Sequence, residues 1–149
     1  MNFEKYLRDN LIKKQKPDFE QIELQIRRSL KDLKTAGETL KIDLTWTYTI
    51  AYHAMIRAGR ALMYSQGYLP TARNTHKTVV EFIRLILGEG YEAVALKFDR
   101  MRRRRHDFIY DSVNHISENE AESSLKTAKE LIGKITERIS RENPQKPLL

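Results

Sequence analysis

The residue types best able to do chemistry crowd into one run, KFDRMRRRRHDFIYD, from Lys97 to Asp111. It holds five arginines, one histidine and one tyrosine. A guanidinium binds oxyanions through a planar fork, an imidazole moves protons near neutral pH, and a phenol supplies a hydrogen bond. The density of arginine points to an anionic ligand. One position stands out. Val94, Phe98, Met101, Phe108 and Ser112 follow helical 3-and-4 spacing, and Arg105 fills the place in that stripe where a core residue is expected. A buried, unpaired guanidinium costs several kcal/mol, so Arg105 must be paired or must border a wet cleft. Places where a sequence breaks its own pattern tend to be functional.

The elements that hold this run in place are helices. Residues 2–15 read as a short amphipathic helix, with Asn2 as N-cap and Phe3, Tyr6, Leu7 and Leu11 on one side. Pro17 and Asp18 open a second helix, striped by Phe19, Ile22, Ile26, Leu30 and Leu33 and stopped at Gly37. A third begins between Leu40 and Asp43 and runs to Gln66, with Leu44, Tyr48, Ala51, Met55, Ala58 and Leu62 on its inner face. Residues 67–74 form a loop, and a fourth helix covers Thr75 to Leu87. Gly88 and Gly90 bracket a tight connection into the arginine helix, 91–114. Ser117 and Glu120 form a capping box for the sixth helix. No strand signal, repeat or low-complexity segment is visible. The expectation is an all-α fold, an antiparallel four-helix up-and-down bundle with one or two extra short helices. It spans 1–142 as a single domain, followed by a disordered tail over 143–149.

A length of 149 residues suits one domain with a real core. The absence of cysteine removes thiol catalysis and disulfides and favours a reducing compartment. There is no run of 18 apolar residues and no apolar signal region, so a cytoplasmic protein without membrane contact is expected. The net charge of +7 favours a polyanionic partner. No phosphate-cradling G-x-x-x-x-G-K-[ST], no Glu-x-x-His pair for a di-iron centre and no G-x-S-x-G elbow occurs. Neither a metal nor a cofactor is expected. A helix-turn-helix around Gly67 fits poorly, because the connection is long and broken by Pro70.

A long helix carrying R-[N/D/H]-x-x-x-H, or a looser R-x4-6-H, resembles the HEPN family of small prokaryotic helical proteins. AYHAMIRAGRALMYSQGY followed by a loop and THKTVVEFI resembles the layout ahead of the family's motif helix, and the likeness covers about residues 15–140. The resemblance implies a protein that homodimerises with two motif helices facing one cleft. It also implies metal-independent ribonuclease activity in active members, and a nucleotidyltransferase partner in toxin–antitoxin style. Two alignments are open. One sets Arg105, His106 and Asp107 on the motif with Tyr110 where the family has histidine; the other pairs Arg100 with His106. The first is preferred because it places the family arginine on the stripe position that needed explaining. It also weakens catalysis, since a phenol titrating near ~10 is a poor base at pH 7 and an imidazole near ~6.5 is a good one.

Under that alignment Arg105 and Arg102 bind the scissile phosphate. His106 moves the proton of the RNA 2′-hydroxyl or of the leaving oxygen, Asp107 orients it, and Tyr110 donates a hydrogen bond. Arg102, His106 and Tyr110 form an i, i+4 ladder, and Arg103 pairs with Asp107. Tyr48 and Tyr52 are the cleft-facing tyrosines, with His53 one turn from them. Plainer readings stand beside these. The arginine run suits a solvated face, with Arg105 a buried anchor on Asp43, Tyr48 or a helix end. His53 suits a satisfied interior histidine, His76 a loop or capping residue, and His115 a charge complementing a helix dipole. Three functions follow: an RNA- or nucleotide-binding domain that cleaves, a non-catalytic module that homodimerises and regulates a nucleotidyltransferase, and a surface binder of nucleic acid.

Overall fold

The computed structural model describes residues 3–110 and 115–143, the side chains of 108–110 excepted. The chain is helical apart from one short strand pair. In order it forms α1 (Glu4–Arg8), β1 (Ile12–Lys14), α2 (Phe19–Glu38), α3 (Leu44–Ser65), β2 (Tyr68–Pro70), α4 (Thr75–Leu87), α5 (Glu92–Tyr110) and α6 (Glu118–Glu142). Asn2 as a cap and the tail over 144–149 lie outside the described residues. No described helix is long and apolar enough to cross a membrane.

α3 is the central element and packs against α2, α4, α5 and α6. Its small residues allow this, because Ala51, Ala54, Ala58 and Ala61 are buried on it and let neighbouring backbones approach. Gly59 sits tightest: a Cβ there would come within 2.5 Å of Ile83 and 2.6 Å of Val79 on α4. Buried Ser29 ties α2 to α3 by donating to the Ala54 carbonyl at 2.7 Å. Asp18 and Asp43 cap α2 and α3 by accepting backbone N–H bonds, and Ser117 with Glu120 forms the expected capping box on α6.

The N-terminal segment departs from expectation. The helix foreseen over 2–15 stops at Arg8, where Asn10 adopts a left-handed φ of 56°, a conformation asparagine tolerates well. The chain then runs extended, and Ile12–Lys14 pairs antiparallel with Tyr68–Pro70 inside the stretch read as a loop. Ile12 is buried while Lys13 and Lys14 face water, so this short strand anchors to the core through one side chain. Phe3 stacks on Phe82, with ring centroids 4.4 Å apart. The Thr71 hydroxyl donates to the Asn10 carbonyl at 2.7 Å, and the Thr75 hydroxyl to the Thr71 carbonyl at 2.6 Å. These contacts fix the first turn of α4.

Candidate functional site

α5 is held to the core by Val94, Phe98 and Met101, all buried on one stripe. Phe98 meets the Tyr52 ring edge-on at 5.9 Å, which sets the rotation of the helix against α3. That rotation sends its arginines into different surroundings. Arg104 turns toward α6. Its Nε donates to Glu120 Oε2 at 2.9 Å and one Nη donates to the His115 carbonyl at 2.6 Å. The hydrogen bond to Glu120 raises the Arg104 pKa and lowers that of the carboxyl. Arg102 and Arg103 share Asp99, at 2.9 Å and 3.3 Å. The expected Arg103–Asp107 pair is therefore replaced by one to Asp99, a turn earlier on the same helix.

Arg105 behaves differently. Its Cζ lies 5.6 Å from the centroid of the Tyr52 ring, a cation–π distance. Its Nε is sequestered from water and has no hydrogen-bond partner among the described residues. The side chain borders a groove of about 1080 Å³ between the start of α4 and the arginine run. All five arginines and Lys77 line that groove, against a single carboxylate, Asp107. His106 and Asp107 are exposed along it. The side chain of Tyr110 lies outside the described residues, and so does its place in the Arg102–His106 ladder.

Opposite Arg105 stands His76, in the first turn of α4. Its Nδ1 is 2.8 Å from the Tyr52 hydroxyl, so the tyrosine connects the imidazole to the arginine through one side chain. His76 is thus no simple capping residue; Asn74, in a left-handed conformation, precedes the helix. Burial first, and then the positive charge of Arg105, push the His76 pKa down to about 4. The Tyr52 phenol is held above its ordinary value, chiefly by burial. His53 packs edge-on against His76 at 6.0 Å and is also lowered, by burial and then by Arg105 and Arg57. The result is a fixed cation facing two imidazoles that stay neutral at pH 7.

Of the tyrosines expected to face the cleft, neither lines the groove: Tyr52 is fully buried beneath it, in contact with Arg105 and His76. Tyr48 lies a turn away in a smaller crevice with Lys97, Arg100 and Glu120, on the α6 side. Its phenol is raised by burial and by Glu120. His76 is the residue that sequence reasoning passed over, since it meets Tyr52 only through tertiary packing, 24 positions along the chain. Among the described residues no cluster of His, Asp or Glu is placed to hold a metal ion.

A search among curated proteins found no match. The family model for the HEPN domain matches residues 22–139, a span that takes in α3, α4, the arginine helix and most of α2 and α6. The chain belongs to the HEPN domain family.

Proposed function

We propose that the groove between α4 and α5 binds an RNA phosphodiester and cleaves it without a metal ion, in a cytoplasmic protein. One observation carries this reading: Arg105, with no ion pair among the described residues, borders the groove beside a neutral imidazole, His76. A guanidinium with an unused donor in a partly dry site binds a phosphate oxygen more strongly than a solvated one does. Arg102 and Arg103 at the groove wall add charge, partly offset by Asp99.

The chemistry follows from the neighbours. With Nδ1 protonated and donating to the Tyr52 oxygen, Nε2 of His76 keeps a lone pair. It takes the proton of the ribose 2′-hydroxyl, whose oxygen attacks the adjacent phosphorus. The bond from phosphorus to the 5′-oxygen breaks, and His106 at the rim returns a proton to that oxygen. The products are a 2′,3′-cyclic phosphate and a free 5′-hydroxyl. Arg105 stabilises the charge that builds on the phosphoryl oxygens. On this reading His76, from another helix, supplies the imidazole that Tyr110 does not.

The test is incubation of the purified protein with RNA in excess chelator. The expected outcome is cyclic-phosphate ends that disappear in Arg105→Gln and His76→Asn. Intact RNA with the wild-type protein would reject catalysis. It would then favour the second reading, a non-catalytic module that homodimerises and regulates a nucleotidyltransferase. That reading draws on Tyr110 in the motif and on Ile42 and Trp46, which are 82% and 59% exposed near the start of α3.

A further inference from the structure

A second groove lies on the far side of His76. Its volume is about 580 Å³, and it is lined by Gln21 and Gln25 of α2 and by His53, Arg57, Arg60 and Tyr64 of α3. That size lies within the range of about 300–1,000 Å³ typical of small-molecule sites. His76 lines both grooves, so they meet at this side chain.

The chemistry of the lining is one-sided. It includes two guanidiniums, two amides and a phenol, and no carboxylate. Asp32 reaches Arg57 from outside the lining, at 3.5 Å, and also binds Arg28. One Nη of Arg57 donates to Gln25 Oε1 at 2.9 Å, and its Nε is the atom that faces Asp32. Arg60 is exposed and has no ion pair among the described residues. Tyr64, one helical turn from Arg60, is half-buried and lines the groove. A cationic edge beside an aromatic face and amide groups matches a nucleotide: phosphate on the arginine, base on the ring, base edge on the amides.

We infer that this second groove holds a nucleotide flanking the scissile phosphate, so that the protein takes a single-stranded RNA segment lying across His76 from one groove into the other. The inference rests on the phosphodiester reading of the arginine groove and adds the form of the substrate. A duplex keeps its bases stacked inside and cannot place one on Tyr64, whereas an unpaired strand can. A solitary nucleotide would fill one groove only and would gain nothing from the other.

The experiment measures binding of a fluorescent dinucleotide, a hexanucleotide and a hairpin stem of the same sequence, all with 2′-O-methyl groups that block cleavage, across a salt series. The proteins are wild type, Arg60→Gln, Tyr64→Leu and Arg105→Gln. Wild type should bind the hexanucleotide at least about tenfold more tightly than the dinucleotide. Arg60→Gln should lose roughly three- to tenfold on the hexanucleotide, with a salt slope shallower by about 0.7, the value for one lost contact to a single-strand phosphate. Tyr64→Leu should weaken the hexanucleotide without altering the slope. Equal hexanucleotide affinity in Arg60→Gln and wild type would overturn the inference, as would a stem that binds as tightly as the single strand. If Arg105→Gln kept full affinity for both lengths, the arginine-groove reading itself would fall. The flanking role of the second groove would then fall with it.

Discussion

Arg104 and Arg105 are adjacent, carry the same side chain and enter two different seams. In the seam between α5 and α6, Arg104 gives its donors to Glu120 and to the His115 carbonyl, and so joins the arginine helix to the capping box of the next one. In the groove between α4 and α5, Arg105 lies on a tyrosine ring with its Nε unused and neutral imidazoles nearby. Successive residues on a helix are turned about 100° apart, so one step along the chain exchanges a structural seam for an open one. A guanidinium whose donors are spent on protein holds the fold together. One that lacks such partners and borders an open groove can turn its remaining donors to a ligand.

Substitutions that treat the two seams differently test this contrast. The largest effect is expected from His76→Asn, which should lower metal-free RNA cleavage by about 10²–10⁴-fold, as loss of a general base does, while RNA affinity changes little. Gel quantification of cleavage beside a binding titration checks it; a parallel loss of both would make His76 a positioning residue. Arg105→Gln should follow, with a loss of about 10²–10³-fold in cleavage together with weaker binding and an unchanged melting temperature. Arg104→Gln should do the reverse. Removing a charge-assisted bond in a half-exposed seam costs about 1 kcal/mol of stability by denaturant titration, and because Arg104 also reaches the groove wall, RNA binding weakens by less than in Arg105→Gln. Arg104→Gln that abolished binding would erase the distinction between the seams.

The smallest effect separates the two seams by pH. His76 has a folded pKa of about 4 against an ordinary value of 6.5, so the unfolded chain takes up its proton first as pH falls. Stability should therefore drop between pH 6.5 and 4 and then level off for this group. Glu120 is held below its ordinary 4.5, so its contribution is present above that pH and is lost below it. His76→Asn should flatten the upper part of a stability–pH curve, and Glu120→Gln the lower part.

Much of this was legible in the sequence, and the failures share a cause. The stripe break at Arg105, the inner face of α3 and the capping box at Ser117 are local patterns, and each corresponds to an element of the structure. From sequence His76 reads as a loop or capping residue, because its partner, Tyr52, is on another helix and no spacing rule connects them. Arg103 had an aspartate four residues away in either direction, at Asp99 and Asp107, and only packing chose Asp99. Tyr48 and Tyr52 are one turn apart, yet Tyr48 sits with Arg100 and Glu120 while Tyr52 packs under Arg105 and His76. The strand pair escaped notice because each strand has three residues and β1 contributes one buried side chain.

The central claim concerns where the phosphate sits, and arginine Nε–H NMR reads that directly. Signals are assigned with Arg104→Gln and Arg105→Gln, and a dinucleotide whose 2′-hydroxyl is methylated to block cleavage is titrated in. The expected result is a saturable shift of the Arg105 Nε–H signal with that of Arg104 unmoved. An Arg105 signal that stays in place while the dinucleotide binds would contradict the account.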